Sequence, residues 1–181
     1  MNVTKTKLDG VVIIEPRVFG DHRGFFMESW SKKRFEEAGL FYDFVQDNHS
    51  LSAAKGTLRG LHFQRGDMAQ AKLFRCTKGE VLDVAVDLRP DSPTYKQWVA
   101  VKLTARNKKQ LMIPRGFAHG FLTLTDDVEC QYKADNFYSP EAEGGIRWND
   151  PELNIDWGIE NPILSEKDAN APFLKDAVTN F

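Results

Sequence analysis

The stretch Gly56-Thr57-Leu58-Arg59-Gly60-Leu61-His62-Phe63-Gln64 carries the densest chemistry in the chain. It sets an arginine three residues before a histidine, and a glycine six before it. An imidazole with its ordinary pKa near ~6.5 is a base at neutral pH. Lys72, a little downstream, offers a cation that can stand beside a developing oxyanion, where preorganised charge acts most strongly. A tyrosine on a nearby strand can return a proton from the opposite side. Base, oxyanion stabiliser and acid are the requirements of proton abstraction next to a carbonyl.

The elements that would carry these groups read mostly as strands. Leu82, Val84, Val86 and Leu88 alternate with Asp83, Ala85 and Asp87. Val99, Val101 and Leu103 alternate with Ala100, Lys102 and Thr104. Period-2 alternation with β-branched residues predicts half-buried strands. Turn-like breaks at Arg89-Pro90-Asp91-Ser92-Pro93, Arg106-Asn107-Lys108 and Thr125-Asp126-Asp127 separate them, as in a sandwich or barrel. One helix is expected over Lys32 to Ala38, capped by Ser31 and ended by Gly39. A second, short one is expected after Ser165, where Ser165-Glu166-Lys167-Asp168 resembles a capping box with Asp in place of Glu. Tyr138 to Pro162, rich in proline and glycine, reads as an ordered loop that carries Trp148 and Trp157 over the barrel.

At 181 residues the chain suits one domain, or one barrel with extensions. A net charge of −2 gives no electrostatic case for nucleic acid or an anionic membrane, although local basic groups could bind a phosphate. No run approaches the roughly 20 apolar residues of a membrane-spanning helix. Val11-Val12-Ile13-Ile14 is too short for a signal-peptide core. Cys76 and Cys130 form no Cys-x-x-Cys and lie in apolar stretches, which suits a cytoplasmic protein with two reduced core thiols.

The Gly56-to-His62 spacing resembles the first signature of the cupin superfamily, small β-barrels that usually hold a metal through a His-x-His pair. Gln64 stands where the second histidine would be. Pro114-Arg115-Gly116-Phe117-Ala118-His119 matches the core of the second cupin signature, though Lys108 replaces the upstream glycine and Thr123 stands where asparagine often follows. Counting back seven residues from Gly79 puts Lys72 at the acidic-ligand position. The four-ligand set would thus be His62, Gln64, Lys72 and His119. An amide is a poor ligand and an ammonium repels a cation, so no metal is expected.

The resemblance then becomes specific. Thr57 to Gln64, Gln70-Ala71-Lys72, Gly79 to Arg89, Ile113 to Phe121 and Gly145-Ile146-Arg147-Trp148-Asn149-Asp150-Pro151 closely resemble the dTDP-4-dehydrorhamnose 3,5-epimerase family. The likeness runs from Gly20-Asp21-His22-Arg23-Gly24 to Ser165-Glu166-Lys167-Asp168. It implies a mainly β fold, a cupin jelly-roll barrel with short flanking helices. Residues 1–181 would form one cupin domain with N-terminal dimerisation strands and helix and a C-terminal loop-helix extension. It implies a homodimer that inverts C3 and C5 of dTDP-4-dehydro-6-deoxy-D-glucose without cofactor or metal. By this resemblance His62 is the base, Tyr132 the acid, Asp168 the support of His62, and Lys72 the partner of the enolate at O4. Arg59 would bind the diphosphate. Arg23, Phe26 and Glu28 would arrive from the partner subunit. Gln46 and Asn48 would bind the nucleotide, His119 the sugar, and Tyr138 would shape the sugar pocket.

Plainer readings stand beside these. Asp168 is also the N3 residue of a capped helix, and Asp83 rivals it as a histidine's partner. Lys72 could guard a strand edge. His119 could simply mark a turn. Tyr138 rivals Tyr132 as the acid. Phe25 and Phe26 could be interface core rather than a stacking surface. His22 and His49 receive no role. A single 3- or 5-epimerase, a 3,4-ketoisomerase, a metal-dependent cupin and a non-catalytic sugar-nucleotide binder are the competing functions.

Overall fold

The alternating stretches form strands of two facing sheets, in a computed structural model that describes residues 1–181. One sheet has six strands in the order β1 (Asn2–Lys5), β2 (Val12–Glu15), β10 (Gln110–Ile113), β7 (Lys72–Lys78), β12 (Val128–Ala134) and β5 (Gln46–Ser52). The other has five, in the order β13 (Glu143–Gly145), β6 (Leu58–Gln64), β11 (Phe117–Thr123), β8 (Glu80–Asp87) and β9 (Trp98–Thr104). The pairings are antiparallel. Two short helices, α1 (Lys32–Glu37) and α2 (Glu166–Ala169), flank them. The architecture is the expected mainly β cupin jelly roll.

One core fills the space between the sheets. Phe74, Cys76 and Cys130 meet Val81, Ala85 and Phe121 there. Asp83 shares the face of Val81 and Ala85 and is fully buried, so the interior face of β8 carries a carboxylate. A second core covers the back of the five-stranded sheet, where Val84, Val86 and Leu122 pack under Ile146, Leu153 and Trp157. Both faces of this sheet are therefore buried, and every residue of β11 is. That double cover makes it a rigid platform for any side chain it presents inward.

The local signals hold with small corrections. Ser31 caps α1, but the helix stops at Glu37, with Ala38 as its C-cap and Gly39 in the left-handed region at φ +77°. Ser165 Oγ accepts the Asp168 N–H at 3.1 Å and caps α2. The Tyr138–Pro162 segment wraps the barrel as expected, with Trp157 donating to Trp148 O at 2.9 Å, yet it also contains β13. Two of the glycines that suggested a loop, Gly144 and Gly145, sit on a strand against β6. Lys72 is not at a sheet edge, because β10 and β12 flank β7. Cys76 and Cys130, distant in sequence, are buried cross-strand neighbours with free thiols.

β3 (Val18–Asp21) and β4 (Gly24–Met27) form a separate hairpin that stays outside both sheets. Its Phe19, Phe25 and Phe26 are 50%, 60% and 72% exposed.

Candidate active site

A cavity of about 390 Å³ opens between the sheets, and His62, Lys72, His119, Tyr132, Arg59 and Asp168 line it. A larger hollow of about 490 Å³ lies under the hairpin against α1 and holds no comparable set of proton-handling groups.

β6 delivers His62 through a close approach to β11. A Cβ on Gly60 would stand 2.6 Å from Gly120 Cα and 2.8 Å from His119 O, so only glycine fits there, and its φ of +127° favours glycine as well. The register of β6 and β11 shifts between His119 and Phe121. Such a bulge re-aims side chains, and here His62 and His119 face each other as cross-strand partners.

His62 Nε2 donates to Asp168 Oδ1 at 2.5 Å. The Asp168 carboxylate also accepts the Gly60 N–H, through Oδ2 at 3.4 Å. Burial pushes the Asp168 carboxyl up. The hydrogen bond and charge of His62, with Ser165 and Gly60, outweigh burial and hold it below its usual value. The two readings of Asp168 are compatible: its backbone is the capped N–H of α2, and its side chain turns to His62. With Nε2 committed, the ring's Nδ1 has no partner within the chain and can take up a proton.

Asp83 partners the other histidine. Its Oδ1 lies 2.7 Å from His119 Nε2, while its Oδ2 is buried without a hydrogen bond. Burial raises the Asp83 carboxyl despite the opposing influence of His119 and Lys72. His119 is thus fixed by a carboxylate through its side chain and is more than a turn marker.

Lys72 opens β7; its ammonium has no hydrogen bond or ion pair inside the chain and stands 5.7 Å from the centre of the Tyr132 ring. Burial pushes its ammonium down to about 8, with Asp83 and Glu143 opposing the shift. Tyr132 stacks on Phe74 at 6.0 Å, and its hydroxyl is also free of partners. Burial and then the charge of Glu143 raise that phenol, while Arg59 opposes them, so the neutral O–H is favoured. Arg59 stands at the rim. It donates from Nε to Ser52 Oγ at 3.0 Å and from Nη2 to Leu51 O at 3.0 Å, and its Nη1 stays free.

The remaining expected residues lie at the mouth or outside it. Gln46 and Asn48 lie on β5, joined by a 3.1 Å hydrogen bond, with Asn48 across from Tyr132. Tyr138 is exposed, donates its N–H to Gln46 Oε1 at 3.0 Å, and donates its hydroxyl to Glu143 Oε2 at 3.2 Å. Its phenol belongs to the rim, whereas Tyr132 belongs to the wall. Arg23, Phe26 and Glu28 do not reach this cavity within one chain. Arg23 pairs with Asp21 at 2.5 Å on the exposed hairpin. Two residues of the site were missed in the sequence. Lys167 lines the cavity and pairs with Glu143 at 2.5 Å. Lys167 had a signal, its place beside Asp168 in the capping sequence. Glu143 had none, because its glycine-flanked strand reads as loop.

The residues at the four cupin ligand positions do not fit a metal. Lys72 is a cation, each histidine gives Nε2 to a carboxylate, and the Gln64 amide is taken up by backbone groups. No group of three or more His, Cys, Asp or Glu side chains is placed to hold an ion.

The sequence profile of the family described as dTDP-4-dehydrorhamnose 3,5-epimerase matches residues 5–176. The chain is 58% identical over 178 residues to a dTDP-4-dehydrorhamnose 3,5-epimerase of Shigella flexneri, covering 98% of each chain. It is similar to the crystal structure of the same enzyme from Bacillus anthracis with TDP and PPi bound, at TM-score 0.94 and 50% identity over 96% of this chain and 99% of that one. It is also similar to a dTDP-6-deoxy-D-glucose-3,5-epimerase of Legionella pneumophila in complex with dTDP-4-keto-L-rhamnose. There the TM-score is 0.92 and the identity 48%, over 97% and 93% of the two chains.

Proposed function

This chain belongs to the dTDP-4-dehydrorhamnose 3,5-epimerase family, and we propose that it inverts C3 and C5 of dTDP-4-dehydro-6-deoxy-D-glucose with His62 as base and Tyr132 as acid. It is an isomerase, and the product is dTDP-4-dehydro-L-rhamnose. The observation that carries the assignment of roles is the His62–Asp168 bond in a cavity whose other walls hold an unpaired ammonium and an unpaired phenol.

The C4 ketone acidifies the C–H bonds on both sides of it. His62 takes the proton from C3 or C5, and the C–H electron pair moves through the new C=C bond onto O4. Asp168 stabilises the imidazolium that forms. Lys72, still cationic at neutral pH, faces the enolate oxygen, where fixed charge lowers the barrier most. When the ketone re-forms, Tyr132 supplies a proton from the opposite face and the carbon inverts. The same pair serves the second carbon once the ring reorients and solvent restores both protonation states.

Around this centre, Arg59 holds the diphosphate with its free guanidinium edge. Gln46 and Asn48 bind the nucleotide, His119 holds the sugar, and Tyr138 shapes the sugar's side of the mouth. The protein works as a homodimer of single-domain chains, and the exposed hairpin gives Arg23, Phe26 and Glu28 to the partner's site. The three solvent-facing phenylalanines of that hairpin support this, since apolar rings so exposed mark a contact surface. No helix is long and apolar enough to cross a membrane. A sugar-nucleotide substrate suits a cytoplasmic location.

The test is incubation with the keto-sugar nucleotide in deuterated water. Deuterium at both C3 and C5 is expected. Label at one carbon alone makes the chain a single epimerase, and no label overturns the activity.

A further inference from the structure

Gln64 occupies a position where a cupin would present a metal-binding histidine, and it is 4% exposed. Its side chain is engaged entirely by backbone. Nε2 donates to Phe137 O at 3.0 Å and to Met68 O at 2.6 Å, and Oε1 accepts the Ser139 N–H at 2.8 Å. The carbonyl of Phe137 and the N–H of Ser139 flank one residue, Tyr138. One carboxamide therefore pairs with both in the way a peptide group pairs across a β-bridge. A carboxamide can do this because it has the same donor and acceptor as a peptide bond. Glutamate keeps the acceptor and loses the donors. The clamp sits on β6, two residues beyond His62 and opposite Glu143 of β13, the residue that receives the Tyr138 hydroxyl.

We propose that Gln64 is a positioning residue: its amide clamps the peptide groups on either side of Tyr138 and so fixes where that ring stands at the mouth of the cavity. This rests on the reading of Tyr138 as part of the sugar pocket. Phe137 and Tyr138 are 62% and 54% exposed, and exposed loops are otherwise the mobile parts of a fold. The clamp gives this one the rigidity of strand β6. Of the three bonds, the one to Met68 O ties β6 to the turn that follows it, while the other two reach the substrate only through Tyr138, so their loss weakens substrate binding and leaves the proton-transfer groups in place.

The test pairs Gln64→Glu and Gln64→Met with Tyr138→Ala. In either Gln64 variant, KM is expected to rise on the order of tenfold with kcat within about twofold, the scale of a lost buried hydrogen bond. In the Tyr138→Ala background the same change adds little to KM, because both act through one contact. Additive effects, or a fall in kcat with KM unchanged, overturn the proposal. Amide hydrogen exchange, measured without substrate, tests the clamp separately from the activity. The Ser139 amide exchanges slowly in the unaltered protein and faster in the Gln64 variants. Fast exchange in the unaltered protein overturns the clamp even if neither variant folds. A wild-type chain that fails to turn over the sugar nucleotide removes the activity but not this readout.

Discussion

His62 and His119 face each other across β6 and β11, yet each ring is tied to its own carboxylate, Asp168 at 2.5 Å and Asp83 at 2.7 Å. The two pairs differ in setting. Asp168 comes from a one-turn helix outside the sheets, whereas Asp83 lies inside the barrel with one oxygen unpaired. This division separates the roles proposed for the two histidines, a base at the cavity wall and a fixed binder of the sugar.

His62→Ala is expected to abolish deuterium exchange at both carbons. Asp168→Asn should keep α2, because the Asp168 backbone N–H and not its carboxylate meets Ser165. It should lower kcat on the order of a hundredfold or more, because the carboxylate that orients the base and stabilises its imidazolium is gone. The Asp168 carboxyl is held below its ordinary value, so its stabilisation is present above the unfolded value of ~3.9 and lost as pH falls through the folded one. The gap in melting temperature between wild type and Asp168→Asn should therefore be full above the ordinary carboxylate range and shrink as pH falls below it. A constant gap would sink the account in which the ionised carboxylate is what His62 stabilises.

The Tyr132 hydroxyl bonds to nothing in the chain, so Tyr132→Phe should leave the melting temperature almost unchanged. Net inversion should fall on the order of a hundredfold or more. Loss of the substrate's own C–H proton to solvent should persist better than inversion, since removal precedes the step that Tyr132 serves. Proton nuclear magnetic resonance in deuterated water separates the two. Equal loss of both would return the acid's role to Tyr138.

Lys72 sets function against stability. Burial depresses its ammonium to about 8, so the folded state carries a penalty for the charge. The penalty is full below that pH and disappears as pH climbs toward the unfolded value of 10.5. Lys72→Met should therefore melt higher than wild type at pH 7, with the advantage fading on the alkaline side. The same change should lower kcat on the order of a hundred- to a thousandfold, as removal of an oxyanion-stabilising group does. Calorimetry from pH 7 to 10 checks the first point and steady-state rates the second.

Subunit mixing tests the hairpin. His62→Ala and Arg23→Ala chains should each be weak alone. Refolded together in equal amounts they should regain about a quarter of wild-type activity, because half the dimers then hold one intact site. No recovery means that Arg23 serves its own chain or none.

Much of the site was legible because its chemistry sits in short contiguous motifs. His62, Lys72, Asp168 and Arg59 lie close to landmarks that local geometry enforces, a glycine-dependent strand approach and a serine-capped turn. Alternation along β8 and β9 likewise reports directly which residues point inward. What the sequence hid was non-local. Asp83 could be assigned to His119 only once β8 and β11 were in register. The Cys76–Cys130 pairing and the role of Gln64 depend on chain segments some 50 to 75 residues away. Glu143 was hidden by the glycines beside it, of which Gly144 serves the strand's packing against Phe63 and not a turn.

The base's carboxylate partner rides on α2, four residues long. A single helical turn has almost no stability of its own in water. What holds this one comes from outside it: the Ser165 cap, the short bridge just before it, where Leu58 N–H meets Ile163 O at 2.9 Å and Ile163 N–H meets Gly56 O at 2.8 Å, the Lys167–Glu143 pair, and the bonds of Asp168 to His62 and Gly60. The turn keeps its place through these contacts with the strands and loops around it. The carboxylate beside His62 therefore owes its place to tertiary bonds rather than to helix propensity, and the geometry of the pair is inherited from the barrel on which the turn rests.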